Sequence, residues 1–356
     1  MARLNRWRLG VVAAAVLALG GCINPPGMGL IPTGEVEVGP WDGLDKSEAG
    51  AWYYMELEDT TCANGSSSGL GLNVGEDRDE LVIYLSGGGA CWDVASCTFF
   101  KTAANLNVTY GLRQLGIELH ALVEGGFMNR TDKVNPLPDA TYAFVPYCTG
   151  DLHTGRTMTA YDGLAGGELI HHQGARNIDE YLRVLTELFP DVERVWLVGI
   201  SAGGYGVSWN FDRFREAYPD AEMHVYTDAS PWLELRDNRW TKWKDNWGLT
   251  IPDGCEGCEE SPTALPEYLA DKYPNSRFAM SVYARDPVLS AYLGVLPAEV
   301  ESAVNTFVDE RYSKPNTSAF IADGSHHEAL LNLNDGVKCS DGESLADFIA
   351  RWVNGK

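Results

Sequence analysis

An apolar run, Val195-Trp196-Leu197-Val198-Gly199-Ile200, stops at Ser201, and that serine is enclosed by Gly199, Gly203, Gly204 and Gly206. A continuous apolar run of this length reads as a strand buried on both faces, as in a parallel sheet covered by helices. The pattern Gly199-x-Ser201-x-Gly203 suits a sharp strand-to-helix turn, because side chains at the two glycines would collide with the adjoining strand and helix. Such a turn lifts the hydroxyl out of the sheet. It also sets the Ala202 N–H at a helix start, where negative charge develops during attack on an ester. The same pattern arises by chance, so the chain must also supply a base, an acid and a second oxyanion donor.

The supporting parts follow in α/β order. Residues 81–85 form a second apolar run that leads directly into Ser86-Gly87-Gly88-Gly89, whose amides suit the other half of an oxyanion hole. Residues 51–57 and 69–74 read as a strand pair flanking a turn at Cys62. Residues 101–115 read as helical, 119–123 and 141–145 as strands, and 178–188 as a helix capped by Asn177. Beyond Ser201 come a helix over 205–218 that points its start at the serine, and strands at 223–226, 278–283 and 318–321. Further helices are expected over 264–273, 288–293, 297–312 and 344–353. This order predicts an α/β-hydrolase-like fold, a mostly parallel central sheet flanked by helices, as a single domain over residues 48–356.

Chemistry in such sheets gathers past the C-terminal ends of the strands. Asp286 ends one strand and His326-His327 follow the last, so the chain order serine, acid, histidine is that of α/β-hydrolases. Asp228, also at a strand end, competes for the role of acid. The loop 146–155 carries Asp151 and His153, candidates for touching substrate or supporting the serine turn. Residues 230–262 hold Trp232, Trp240, Trp243 and Trp247. That segment reads either as a substrate wall, with Trp232 as the contact, or as a satellite core under a long loop.

Arg3, Arg6 and Arg8 precede an apolar run over 9–19 that ends in Gly20-Gly21-Cys22. This predicts a secretory signal over residues 1–21, too short to span a bilayer, whose end resembles the lipobox of bacterial lipoproteins. Cys22 would then carry a lipid, the only hold on a membrane, and residues 22–47, rich in Gly and Pro, would form a tether. Cleavage leaves 24 basic against 50 acidic residues, and such a surface repels nucleic acid and anionic headgroups. Export makes Cys62, Cys91, Cys97, Cys148, Cys255, Cys258 and Cys339 disulfide candidates, an odd set that leaves one over. Cys255-x-x-Cys258 has no second CxxC and no nearby histidine, so it reads as a structural disulfide, with no metal or cofactor required.

Four motifs together are similar to the pectin acetylesterase/Notum family of carboxylesterases: Thr61-Cys62-Ala63-Asn64-Gly65, Leu85-Ser86-Gly87-Gly88-Gly89-Ala90-Cys91-Trp92, Tyr147-Cys148-Thr149-Gly150-Asp151 and Gly199-Ile200-Ser201-Ala202-Gly203-Gly204-Tyr205-Gly206. The resemblance implies Ser201 as nucleophile, Asp286 as acid, the amides of Gly88, Gly89 and Ala202 as oxyanion hole, and disulfides Cys62–Cys148 and Cys91–Cys97. The spacing His-x-x-Leu to Leu330 favours His327 over His326 as base. Cys255 would pair with Cys258, leaving Cys339 free. Gly89-Ala90 departs from the family, whose members often place an aromatic after the glycines. The implied reaction is hydrolysis of a carboxylic ester through an acyl-enzyme, first of all of short acyl groups on a polysaccharide or glycan. A lipase-like, polyester or acyl-protein hydrolase is the alternative if the tryptophan segment forms an apolar groove. A binding lipoprotein follows if the triad is present but unassembled.

Overall fold

The computed structural model describes residues 34–163 and 166–356; the expected signal peptide and Cys22 lie outside them. The strands are β1 (Val38–Pro40), β2 (Trp52–Leu57), β3 (Ser68–Asn73), β4 (Asp77–Leu85), β5 (Ala140–Val145), β6 (Thr157–Gly163), β7 (Gly166–His172), β8 (Arg194–Ile200), β9 (Glu222–Asp228), β10 (Phe278–Tyr283) and β11 (Thr317–Ala322). The helices are α1 (Leu112–Glu124), α2 (Gly174–Leu188), α3 (Ala202–Trp209), α4 (Phe211–Ala217), α5 (Arg239–Trp247), α6 (Leu265–Lys272), α7 (Pro287–Leu293), α8 (Pro297–Arg311) and α9 (Leu345–Val353). One large sheet runs in the order β1-β2-β3-β5-β4-β8-β9-β10-β11, while β6 and β7 pair as a separate antiparallel hairpin. From β5 to β11 every neighbouring pair is parallel, and β3 alone runs antiparallel to both its neighbours. The parallel strands therefore end along one edge of the sheet.

The two faces of β4 show why an unbroken apolar run is needed at the centre. Leu81, Ile83 and Leu85 pack into the layer made by α2 to α8, while Val82 and Tyr84 pack into the layer made by α1 and α9. Each strand residue is thus buried whichever way it points. Residues 119–123, expected as a strand, lie inside α1. Leu115, Leu119 and Leu122 repeat at the helical interval and are buried, so the short run is the inner stripe of that helix. Residues 101–111 carry no helix. Helix α2 begins at Gly174, and the Asn177 side chain bridges Thr61 N–H and C=O (2.9 and 3.0 Å) instead of capping. The helix after Ser201 begins at Ala202 and is broken at Asn210 into α3 and α4.

The chain joins the fold before residue 48. Val38–Pro40 adds a parallel strand to β2, and Val36 N–H bonds Gly116 C=O of α1 at 3.0 Å, so the tether expected through residue 47 does not extend over these residues. Hydrogen-bond pairing to an exposed edge overrides a Gly- and Pro-rich composition. Among the described residues no helix is long and apolar enough to cross a membrane.

Disulfides join Cys62 to Cys148, Cys91 to Cys97 and Cys255 to Cys258, and Cys339 is the free cysteine among the described residues. Cys62–Cys148 closes a sequence separation of 86, against 3 for Cys255–Cys258. Replacing Cys62 and Cys148 by serine is expected to lower the unfolding free energy by about 2–5 kcal/mol in guanidinium titrations, and removing Cys255–Cys258 by less than about half as much, because the shorter loop restricts the unfolded chain less.

Candidate active site

Ser201 stands alone between β8 and α3 with φ 48° and ψ −120°, a conformation costing a non-glycine residue about 1–3 kcal/mol. Its N–H donates to Asp228 C=O at 2.8 Å. The turn is also clamped from below, since a Cβ on Gly203 would fall 1.9 Å from Leu85 O and one on Gly199 2.3 Å from Gly203 O. Only hydrogen fits at either place. Packing therefore holds the strained serine with its side chain beyond the sheet edge.

Asp286 and His327 arrive from beyond the ends of β10 and β11, the last two strands. The fully buried Asp286 caps α7, its Oδ1 accepting Val288 and Leu289 N–H at 2.8 and 3.0 Å, while Oδ2 meets His327 Nδ1 at 2.6 Å. Burial works against charge on the imidazole, but Asp286 outweighs it, with Glu328 and Asp228 adding to the effect, and the His327 pKa is pushed up to about 9. His326 is exposed, its ring edge-on to Tyr283 at 5.3 Å. The carboxylate bonded to His327 is that of Asp286, and Asp228 is engaged elsewhere. Its Oδ1 accepts Ser281 Oγ at 2.5 Å and its Oδ2 accepts Leu330 N–H at 2.8 Å, and burial raises its pKa to about 7. It ties down the backbone three residues past His327. Ser201 and His327 line the same pocket without a hydrogen bond between them, as is common in unliganded sites.

Beyond β4 the chain turns through Gly88 (φ 143°) and Gly89 (φ 74°), where side chains would be strained. The carbonyls are held from behind: Gly88 C=O accepts Ala104 N–H at 2.7 Å and Gly89 C=O accepts Tyr147 OH at 2.8 Å. Among the described residues the N–H groups of Gly88, Gly89 and Ala202 have no protein acceptor. Gly89 and Ala202 line the pocket with Ser201, whereas Gly88 packs behind them against Ala104 and Tyr147. Ser86 is braced twice, its Oγ donating to the half-buried Glu118 (3.1 Å) and its C=O accepting His153 Nε2 (2.9 Å). Sequence reasoning misses Glu118, because a single glutamate on a helix carries no signal of what tertiary folding brings to it.

Asp151 and His153 do not reach the pocket; Leu152 between them does. The Asp151 carboxylate accepts Thr149 Oγ1 and three backbone N–H groups, of His153, Gly155 and Gly174. Burial pushes the His153 pKa down to about 4, so the ring is a neutral donor to Ser86. Asp151 thus fastens its loop to the start of α2, and His153 fastens it to Ser86 at the end of β4. The tryptophan segment divides its roles. Trp232 and Trp243 line the pocket with Leu233 and Leu235, while Trp240 and Trp247 are buried behind them. Tyr205, Leu289, Tyr292 and Leu293 complete an apolar wall that the sequence does not single out. Cys91, Cys97 and His172 converge within 4.8 Å, but the sulfurs are bonded to each other and His172 is engaged by Thr149 C=O and Tyr161 OH.

Residues 53–250 match the sequence profile of Pectinacetylesterase, more than half of the chain. The chain belongs to the pectinacetylesterase family. Similar proteins include palmitoleoyl-protein carboxylesterase NOTUM of Schmidtea mediterranea, 29% identical over 137 residues (38% of this chain, 24% of that protein). The NOTUM of Drosophila melanogaster is 30% identical over 170 residues (44% and 23%), and that of Homo sapiens 25% over 218 residues (55% and 42%). The chain spans less than half the length of each of these relatives. The solved structure of the Wnt deacylase Notum from Drosophila covers 84% of this chain and 91% of its own with a TM-score of 0.59 at 18% identity, which shows a shared α/β fold. The span that matches the pectinacetylesterase profile contains Ser201 and the glycine loop but stops before Asp286 and His327. Those two lie beyond the matched span, and in this chain they are bonded to each other at 2.6 Å.

A Gly203→Ala change is expected to destabilise the protein by about 3 kcal/mol or more in urea unfolding, since the added methyl has only backbone to displace.

Proposed function

We propose that this chain is an exported serine carboxylesterase working through an acyl-enzyme. The observation that carries the reading is the convergence on one pocket of Ser201, of His327 bonded to the buried Asp286, and of the Gly89 and Ala202 amides. Ser201 Oγ attacks the ester carbonyl while His327 Nε2 takes its proton, and Asp286 stabilises the imidazolium that forms. The carbonyl oxygen, now negative, receives hydrogen bonds from the amides of Gly89 and Ala202, with Gly88 next in the loop. Collapse expels the alkoxide, which takes the proton back from Nε2. Water activated by the same histidine then releases the carboxylic acid. The disulfides favour an oxidising compartment, and Cys22 would fasten the enzyme there by lipid.

The acyl group is apolar and longer than acetyl. Leu152, Trp232, Leu233, Trp243, Leu289 and Leu293 surround the serine, a wall that rewards methylene groups and leaves sugar hydroxyls unpaired. The second reading, removal of acetyl from a glycan, draws on the pectinacetylesterase profile itself.

In a p-nitrophenyl ester series from acetate to palmitate, kcat/KM is expected to rise by roughly fourfold per methylene at first, since each buried CH2 is worth about 0.8 kcal/mol. Ser201→Ala and Asp286→Ala should each lower kcat by about a thousandfold or more, and a serine-directed phosphonate should label Ser201. A steep preference for acetate would transfer the assignment to glycan deacetylation, and labelling-negative, inactive protein would make it a binding module.

A further inference from the structure

We propose that Glu328 is a positioning residue for the base: its carboxylate grips the protonated imidazole of His327 at Nε2, in competition with Ser201, so the free enzyme rests with its base engaged and speeds up as pH rises above neutrality. The inference rests on the serine-esterase reading given above.

The geometry brackets one ring between two carboxylates. Asp286 Oδ2 stands 2.6 Å from Nδ1, and Glu328 Oε1 stands 3.7 Å from Nε2, the nitrogen that must accept the serine proton. Glu328 reaches this place through a left-handed backbone, φ 59° and ψ 79°, which is costly for a residue with a Cβ. Its carboxylate comes against the glycine loop, where a Cβ on Gly87 would lie 3.4 Å from Oε1. Asp286 faces it from the start of α7, Asp228 from the end of β9, and Tyr84 from β4. Among the described residues no lysine or arginine lies within ion-pair distance of it; His327 is its partner. Burial, with Asp286 adding to it, holds the Glu328 pKa above the usual carboxylate range, and His327 beside it opposes that rise.

The proton balance gives the consequence. Attack breaks the Ser201 O–H bond and delivers the proton to Nε2, which requires a free lone pair there. An imidazolium held by Glu328 must first release its proton to solvent. Once the lone pair is free, the same negative charge makes Nε2 a stronger base and stabilises the imidazolium of the transition state. Glu328 therefore slows the enzyme at neutral pH and speeds it at alkaline pH.

The test measures kcat/KM for p-nitrophenyl butyrate between about pH 5 and about pH 9.5 on the full domain, for the parent, Glu328→Gln and Glu328→Ala. The acidic limb should move down by about one pH unit in both variants, equivalent to about tenfold in proton affinity, while the alkaline plateau falls. NMR titration of the His327 ring in Ser201→Ala, with and without Glu328→Gln, should show the same downward shift without any turnover. An unmoved limb and an unmoved ring titration would overturn the proposal. Residual activity in Ser201→Ala would instead sink the esterase reading, and the ring titration would still decide Glu328.

Discussion

The backbone contact between Gly203 and Leu85 is the constraint on which the site depends. Strand β4 and helix α3 approach so closely that no Cβ fits between them, and this one contact sets two pieces of chemistry side by side. Leu85 runs on into the glycine loop, and Gly203 belongs to the turn that carries Ser201. The amides and the hydroxyl are thus placed by the sheet and not by mobile loops, which is the condition for donors that need no reorganisation during reaction. The parallel arrangement does the same for two carboxylates and an imidazole, since β9, β10 and β11 deliver Asp228, Asp286 and His327 to the same edge.

Beneath that edge lies a set of buried and half-buried polar groups, each satisfied. Asp151 accepts four hydrogen bonds, Glu118 is bonded by Ser86, Asn105 and Tyr110, and Asp228 joins Ser281 to the loop of the histidine. A buried carboxylate is expensive unless its lone pairs are used, and removing any one partner strands the rest at about 1–3 kcal/mol each. Asp151, Glu118 and Asp228 lie outside the lining of the pocket. Their work is to make the loops around Ser201 as rigid as the sheet that carries them.

What was legible in the sequence follows the same physics. The serine turn, the glycine loop and the apolar strands are dictated by local sterics and by burial on two faces, so their residues announce them. The pairings of Cys62, Cys91, Cys97 and Cys148 agree with those implied by the family likeness, and the Cys255–Cys258 bridge with its spacing. The inner stripe of α1 misleads because Leu119 to Val123 is also a plausible short strand until Leu115 is counted with it. Strand β1 and the hairpin of β6 and β7 are stabilised by pairing that composition does not encode. Glu118, Tyr292 and Glu328 were invisible for a related reason, since each acquires its role only where distant segments meet.

The tryptophan segment is joined to the floor of the pocket by hydrogen bonds from Trp247 Nε1 to Cys91 C=O at 2.8 Å and from Asn246 Nδ2 to Trp92 C=O at 2.7 Å. Cys91 lies two residues past Gly89 and is itself cross-linked to Cys97. The apolar wall of the pocket and the glycine loop therefore share a foundation. Lengthening the segment would shift the glycine loop together with the wall. The backbone thus fixes the outline of this pocket, and the room left inside it is set by the volumes of a few side chains.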